Sequence, residues 1–256
     1  MIPRVIPVLL LRGEGLVKGI RFKNYCYVGD PINAVRIFNE KEVDELFFLD
    51  ITATRENRRP SLEFIQDIAD ECYMPFGVGG GIKTIDDIKA ILYAGAEKVS
   101  INTAAVLNPH LITEASSLFG SQAVVVSIDY RTRKLGGLEV FTHSGTKGTK
   151  LDPVEWAARV AELGAGEILL NCIDRDGKME GYDLRTISRV AETVNIPVIA
   201  CGGAGTIEHL AKVVSEGNAS AVAAGSMFIF HGRNRAVLIN YPNSSELQKI
   251  FHQSSE

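Results

Sequence analysis

Short apolar runs alternate with longer amphipathic segments along most of the chain. The apolar runs have the length of strands and cover 4–11, 45–50, 75–78, 97–101, 123–129, 167–172, 197–201 and 219–224. Segments with a helical period lie between them, at 32–40, 61–71, 84–94, 108–118, 153–162, 184–193 and 206–216. Strands that are apolar on both faces, each followed by a helix, indicate a parallel sheet covered on both sides. Eight such units predict an α/β fold, a single closed (β/α)8 TIM barrel.

The second half of the chain repeats the pattern of the first with a constant offset of 122 residues (167 − 45). The residue pairs that keep this offset are Glu45/Glu167, Pro75/Pro197, Gly80/Gly202, Gly81/Gly203, Thr84/Thr206 and Gly95/Gly217. A repeat of this length is too long for a solenoid unit and carries strand–loop–helix units. We therefore expect one domain over 1–256, built from half-barrel repeats of about 1–120 and 121–240, with loop insertions at 55–59 and 130–150.

Composition narrows the class of protein. The 256 residues, 46% of them hydrophobic and 23% charged, suit one barrel with a large core. A formal net charge of −4 argues against nucleic acid as the partner. The chain has no run of eighteen apolar residues and no signal-peptide pattern at its start, so we expect a cytoplasmic protein without a membrane segment.

Glycine-rich loops mark two candidate phosphate sites. Gly80 and Gly81 in one half, and Gly202 and Gly203 in the other, end a strand and precede a helix, where backbone N–H groups can approach an anion. The next strand in each half ends in further donors, which are Ser100, Asn102, Thr103, Gly225 and Ser226. Two such sites across one barrel mouth predict a small ligand with a phosphate at each end.

Four aspartates lie at or just after strand ends, where a barrel places its active site: Asp50, Asp129, Asp174 and Asp176. A carboxylate there can act as a general acid or base if burial raises its pKa. The alternative is a helix cap or a loop ion pair. Asp129 is the main catalytic candidate because it follows a long apolar strand, whereas a cap explains Asp174 equally well.

Charged residues at the beginnings of four strands, Arg4, Glu45, Lys98 and Glu167, should meet at the opposite, amino-terminal end of the barrel. Two acids and two bases placed there would pair with one another. On spacing alone, a structural salt-bridge plug explains them at least as well as a functional role.

Together these features resemble the HisF family, the cyclase subunit of imidazole glycerol phosphate synthase, a lyase complex of histidine biosynthesis. The resemblance extends from Arg4 to about Phe228 and is carried by LDITA at 49–53, VGGGI at 78–82, KVSINTAA at 98–105, GSQAVVV at 120–126 and IDRDG at 173–177. It implies a heterodimer with a HisH-type glutaminase, which docks on the amino-terminal face and sends ammonia through the barrel.

The same resemblance assigns roles to particular residues. The glycine loops would bind a bisphosphate ribosyl-carboxamide, with Lys18, Asp50, Asp176 and Gly177 as further ligand-binding positions. The four charged residues Arg4, Glu45, Lys98 and Glu167 would form the ammonia gate. Neither a cofactor nor a metal is expected.

The chain departs from the family pattern in the site itself. The family uses two acid/base aspartates, at the ends of strands one and five; Asp129 matches the second, but Leu10 stands at the first. A leucine cannot transfer a proton, and each such transfer contributes roughly 10²–10⁴-fold to a rate. Gly77, Asn171 and Cys201 occupy positions where we expect hydroxyl side chains lining the substrate site. We therefore expect a retained ammonia path with altered chemistry.

The segment 228–242 also departs from the usual pattern. It resembles a HisF-like branch associated with glycosyl amidation in the synthesis of surface polysaccharide, including lipopolysaccharide O-antigen. In that branch a glutaminase, a barrel and a separate sugar amidotransferase cooperate. His231, Arg233 and Arg235 are candidates for contact with that third protein or with an anionic sugar nucleotide; a solvated loop is the alternative.

Three hypotheses follow. The first is a working cyclase, which converts the ribosyl-carboxamide bisphosphate and ammonia into imidazole glycerol phosphate and aminoimidazole carboxamide ribotide. The second, favoured by Leu10 and by the carboxy-terminal segment, is an ammonia-channel subunit of a glutamine amidotransferase complex that serves a sugar amidotransferase. The third, a single-chain phosphosugar isomerase, is disfavoured because Leu10 removes the aspartate that its chemistry also needs.

Overall fold

Eight parallel strands close into a barrel in the computed structural model, which describes residues 2–133, 135–232 and 234–253. The barrel strands are β1 (Arg4–Arg12), β4 (Leu46–Asp50), β5 (Phe76–Gly79), β6 (Lys98–Ile101), β7 (Val124–Thr132), β10 (Glu167–Cys172), β11 (Val198–Cys201) and β12 (Ala221–Ala224). They pair in this order, β7 with β10 and β12 with β1, so the sheet closes. The predicted (β/α)8 barrel is confirmed.

Helices surround the barrel and connect its strands. They are α1 (Pro31–Glu40), α2 (Leu62–Glu71), α3 (Ile85–Tyr93), α4 (Thr103–Leu107), α5 (His110–Phe119), α6 (Pro153–Glu162), α7 (Leu184–Thr193), α8 (Ile207–Ser215), α9 (Ser226–Ile229) and α10 (Ser244–Gln253). Short polar residues fix several starts. At α3, Thr84 accepts from the backbone of Asp87, whose carboxylate accepts from Thr84 in return, which is a capping box.

The strands separate two apolar layers because alternate side chains point to opposite faces. On β4, Leu46 and Phe48 face outward into the large core between sheet and helices, whereas Phe47 faces inward. The inner cluster comprises Ile6, Val8, Phe47, Val125, Leu169, Ile199, Cys201, Ala221 and Ala223, with Leu10 and Leu49 packed against it. The barrel interior is therefore filled by side chains, as expected for a barrel of eight strands.

The connections contain structure beyond the sequence prediction, and one predicted loop was wrong. The segment 130–150 is not a simple loop: β7 runs to Thr132, and β8 (Leu138–Thr142) and β9 (Lys147–Gly148) extend the sheet in antiparallel fashion. The predicted helix at 108–118 is preceded by the separate short helix α4. A hairpin of β2 (Gly15–Ile20) and β3 (Lys23–Gly29), absent from the prediction, follows β1.

The carboxy-terminal segment also contains structure that the sequence did not predict. β13 (Phe230–His231) pairs with β14 (Ala236–Val237), and α10 packs on α8. The hydroxyl of Tyr241 donates to the carbonyl of Val5, 2.9 Å away, which attaches this segment to the first strand. The boundaries of the half-barrel repeats stay a prediction from the sequence.

Candidate functional site

A cavity of about 470 Å³ lies at the carboxyl ends of the barrel strands. Its wall contains Leu10 and most of the site residues expected from the sequence: Lys18, Asp50, Gly80, Gly81, Ser100, Asn102, Thr103, Asp129, Asp176, Gly177, Gly202, Gly203, Gly225 and Ser226. Residues that are far apart in the chain thus meet because parallel strands all end at the same rim.

The two glycine loops have equivalent surroundings in the two halves. Gly81 (φ +70°) and Gly203 (φ +121°) both adopt a backbone conformation that favours glycine. A Cβ at Gly81 would overlap the carbonyl oxygen of Arg58, and a Cβ at Gly203 would overlap that of Gly181. In each half the glycine therefore packs against the loop that follows the preceding strand, which brings backbone close to the cavity.

Two short helices begin at the cavity wall. The residues before them, Asn102 before α4 and Gly225 before α9, give no side-chain capping hydrogen bond to the first turn. The first N–H groups of a helix have no partner within it, so groups of this kind are suited to bind an anion. Their equivalent positions in the two halves agree with a ligand that carries two anionic groups.

Two asparagine side chains hold the carboxylate of Asp129 in the cavity wall. Asn102 Nδ2 donates to its Oδ2 at 3.0 Å and Asn171 Nδ2 to its Oδ1 at 3.2 Å. Burial, only partly offset by Asn171, raises the pKa of Asp129 to about 7. A carboxyl group with this pKa can release and accept a proton near neutral pH.

Leu10 lies on β1, on the far side of the barrel from Asp129. It lines the cavity and packs with its register neighbour Leu49 on the inner apolar cluster. The wall at this strand is therefore apolar, and Leu10 cannot exchange a proton with a ligand.

Lys18 reaches from the unpredicted hairpin into the cavity. Its Nζ donates to the carbonyl of Val8 at 2.5 Å, and the side chain is buried. Burial lowers its pKa to about 8, against the opposing influence of Asp176. The carboxyl group of Asp176 has a raised pKa, chiefly from burial, with Lys18 acting in the opposite direction. The cavity thus holds a second acid, which is partly buried, and a buried amine.

Asp50 lines the cavity, but its carboxylate is held by its own loop. Oδ1 accepts from the backbone of Thr52 and Ala53, both at 3.0 Å, and Oδ2 accepts from Arg58 at 2.6 Å. These contacts organise the loop after β4. The structure thus contains the loop ion pair that was the alternative interpretation of Asp50. The ligand-binding role of Asp50 that the resemblance implies stays a prediction.

Two expected cavity residues lie elsewhere. Asp174 accepts from the backbone N–H of Thr132, at the end of β7, at 2.9 Å and is not part of the cavity wall; it caps a strand end rather than a helix, because the N-cap of α7 is Asp183. Gly77 is also absent from the wall, unlike Asn171 and Cys201, because it lies deeper in the barrel beside the ring of Phe47. The expectation that all three replaced hydroxyl positions line the site was wrong for Gly77.

The antiparallel pairs β2–β3 and β8–β9 contribute wall residues that the sequence did not predict. Phe22 and Tyr25 come from the β2–β3 hairpin, and His143 and Ser144 come from the turn between β8 and β9. Burial raises the pKa of Tyr25 to about 12 and lowers that of His143. The glycines at 13, 15 and 145 were the available signals for these turns.

At the opposite end of the barrel, the structure brings Arg4, Glu45, Lys98 and Glu167 into one closed circuit, which we call the ion ring. Arg4 pairs with both glutamates, and Lys98 Nζ lies 2.8 Å from Glu45 Oε1 and 2.8 Å from Glu167 Oε2. The Lys98–Glu45 contact has ion-pair distance without hydrogen-bond geometry. Each base bridges both acids, and the side chain of Glu45 is only 3% exposed.

The carboxy-terminal segment reaches the cavity rim through one of its predicted basic residues. Arg235 donates to the carbonyl of Gly177 at 3.0 Å, and its guanidinium lies 4.4 Å from the ring centre of Phe230. His231 is exposed, and Arg233 lies outside the described residues. The segment thus borders the mouth next to a wall residue.

Two further observations concern what the described residues contain. No group of three or more His, Cys, Asp and Glu side chains is placed to hold a metal ion in 2–133, 135–232 and 234–253. Over the same ranges, no helix is both long enough and apolar enough to cross a bilayer.

A closed barrel with a polar cavity at the carboxyl ends of its strands, built from two similar halves, defines the class as (β/α)8-barrel enzyme subunits. A family model described as histidine biosynthesis protein matches residues 4–234. The chain belongs to this family, and within it to the HisF-like imidazole glycerol phosphate synthase subunits.

Curated relatives agree over nearly their full lengths. A Pseudomonas aeruginosa protein named provisionally as imidazole glycerol phosphate synthase subunit hisF2 is 54% identical over 244 residues, which are 95% of this chain and 97% of the relative. Proteins with corresponding provisional names from Leptospira borgpetersenii (47% identical, 97% of this chain and 98% of the relative) and Vibrio vulnificus (48%, 96% and 95%) are similar over comparable lengths.

Proposed function

We propose that this chain is an ammonia-delivering barrel subunit. It receives glutamine-derived ammonia from a HisH-type glutaminase, passes it from the ion ring to the cavity, and supplies it for amidination of a nucleotide-linked sugar in lipopolysaccharide or O-antigen synthesis in the cytoplasm. The glycine loops hold a phosphorylated small molecule at the mouth.

The observation that carries this proposal is that the ion ring and the glycine loops are retained, whereas the carboxylate at position 10 is replaced by leucine. The ion ring is complete and both glycine loops line the cavity, while the wall at Leu10 is apolar. Cyclisation in the family requires a carboxylate at that position as well as at Asp129. A chain that keeps the features of the path and lacks one of the two proton carriers is suited to delivering ammonia to a separate enzyme.

Exposed apolar side chains support a partner at the amino-terminal face. Tyr73, Tyr93 and Leu118 are 87%, 81% and 61% exposed, and they lie where α2, α3 and α5 return toward the beginnings of strands. The ion ring opens on this same end of the barrel. Exposed aromatic residues are typical of protein interfaces, so this face is suited to a glutaminase.

At the mouth, the carboxy-terminal segment is the candidate contact for a sugar amidotransferase. Arg235 fixes it to Gly177 in the cavity wall, and Val237 and Leu238 are each at least half exposed beside it. A partner seated here would take ammonia directly from the cavity, without its release to solvent.

The test is transfer of labelled nitrogen in the reconstituted complex of glutaminase, this chain and the sugar amidotransferase. With amide-¹⁵N glutamine and an excess of unlabelled ammonium, the amidinated sugar nucleotide should carry ¹⁵N. Glu167→Ala should lose this preference while glutamine hydrolysis continues, because it opens the ion ring; Arg36→Ala, which removes an exposed ion pair with Glu71, is the matched control. Product that carries only unlabelled nitrogen would contradict the proposal.

An active cyclase is the second candidate. The observation that favours it is the raised pKa of Asp129, about 7, together with the retained Asp176 and Lys18 in the same cavity. In this alternative one of the latter two replaces the missing aspartate, and the chain makes imidazole glycerol phosphate and aminoimidazole carboxamide ribotide.

A further inference from the structure

Between the ion ring and the cavity, the largest side chain of the inner apolar cluster is a phenyl ring. Phe47 is fully buried and is the only aromatic side chain of the inner apolar cluster in the described residues. It stands two residues after Glu45, which immediately precedes β4, so its side chain points to the same inner face, one layer nearer the mouth. Anything that moves from the ion ring to the cavity must pass this layer.

The ring of Phe47 occupies the space that a side chain on the neighbouring strand would need. Phe47 is in register with Gly77, which is in turn in register with Lys98 of the ion ring. A Cβ built on Gly77 would lie 2.8 Å from Cζ and 2.9 Å from Cδ1 of Phe47. On the side of β5, the phenyl ring therefore packs against bare backbone.

We propose that Phe47 and Gly77 form the aromatic constriction of the ammonia path, in which Gly77 provides the space that holds the phenyl ring against the wall and off the barrel axis. This inference rests on the proposed function, because it assigns residues to the same route. It explains why the smallest residue stands beside the largest one in this layer.

The chemistry of the layer selects neutral ammonia. Phe47 and its neighbours in the inner cluster offer no hydrogen bond to ammonium, and a charged ion is costly to move into apolar surroundings. Ser100, one layer nearer the mouth than Lys98 on β6, has a buried hydroxyl without a hydrogen-bond partner among the described side chains. A molecule of ammonia that leaves the aromatic layer can bond to this hydroxyl before it enters the cavity.

Variants of the two residues test the constriction in the reconstituted complex. Gly77→Ala should push the phenyl ring toward the axis, so glutamine-dependent product should fall about tenfold or more, whereas product formed from added ammonium chloride should be unchanged. The double variant Gly77→Ala/Phe47→Leu should restore glutamine-dependent product, because leucine leaves room for the new methyl group. Arg36→Ala, at an exposed ion pair outside the barrel interior, is the control and should keep wild-type coupling.

Three results would overturn the inference: unchanged glutamine-dependent product in Gly77→Ala, an equal loss with both nitrogen sources, or no rescue in the double variant. If the wild-type complex transfers no nitrogen from glutamine, the proposed function itself fails. A measurement on the isolated chain separates these cases. Crystal structures of wild type and Gly77→Ala should show the phenyl ring displaced from β5 toward Leu169, and a ring that stays in place would contradict the constriction.

Discussion

The ammonium group of Lys18 fills the space that a side chain at Gly225 would occupy. A Cβ on Gly225 would lie 2.8 Å from Cε of Lys18 and closer still to Nζ. The lysine lies on β2, in the hairpin after β1, and the glycine directly follows β12. This contact therefore joins the β2–β3 hairpin to the barrel wall of the cavity. The close fit accounts for the burial that lowers the pKa of Lys18 to about 8.

Gly225→Ala should therefore expel Lys18 from its site. We expect the pKa of Lys18 to rise toward the ordinary value of 10.5 and the free energy of unfolding to fall by about 1–3 kcal/mol. The pKa can be measured by NMR of the ¹³C-methylated amine, and stability by urea denaturation. Gly13→Ala, at a glycine with open space around it but with φ +61°, is the control for the pKa and not for stability, and should leave the pKa of Lys18 unaffected. An unchanged pKa in Gly225→Ala would contradict the contact.

The ion ring should contribute to stability as well as to the path. Lys98→Met leaves the buried carboxylate of Glu45 without one of its two cations, which should cost about 3 kcal/mol in urea denaturation. Arg36→Met breaks the exposed pair with Glu71 and should cost less than about 1 kcal/mol. Equal costs for the two variants would show that the ring is solvated like any surface pair.

Asp129 should make stability depend on pH in a definite direction. Its pKa is raised from 3.8 to about 7, so between these values the folded protein keeps a proton that the unfolded chain has lost. Stability from this group is fully present below pH 4 and is lost as the pH rises through 7. Asp129→Asn should thus gain stability relative to wild type with rising pH, by no more than about 4 kcal/mol. Urea denaturation from pH 4 to pH 8 measures this, and a constant difference would contradict the raised pKa.

Leu10→Asp should restore a proton carrier to the wall of β1. If the remaining site is intact, cyclisation of the ribosyl-carboxamide bisphosphate should become detectable, because a proton carrier contributes roughly 10²–10⁴-fold to a rate. Leu49→Asp, which places a carboxylate at the register neighbour of Leu10 in the same cavity, is the matched control and should give no comparable gain. A folded Leu10→Asp protein without any gain would contradict the view that position 10 limits the chemistry.

The sequence predicted the barrel and the cavity wall because both follow from local periodicity and from the rule that parallel strands end at one rim. Strand and helix positions needed no contact information, and neither did the placement of Gly81 or Gly203 at strand ends. The β2–β3 hairpin escaped prediction since its exposed residues, such as Lys23 and Tyr27, carry no two-sided apolar pattern.

Contacts between strands could not be read from the chain. The packing of Phe47 on Gly77 depends on the register of β4 with β5, which a sequence repeat does not specify. For the same reason Gly77 was expected at the cavity, although it lies beneath it. The ion pair between Arg58 and Asp50 likewise depends on how the loop after β4 folds back, and the spacing of the two residues in the sequence does not predict it.

The most direct test of the account is steady-state cyclisation of the ribosyl-carboxamide bisphosphate by the purified chain, with saturating ammonium so that no glutaminase is needed. We expect no detectable turnover by folded protein, because Leu10 leaves Asp129 without its partner carboxylate. Turnover in the usual enzyme range of roughly 1–10³ s⁻¹ would contradict the account and establish cyclase chemistry with a replacement proton carrier.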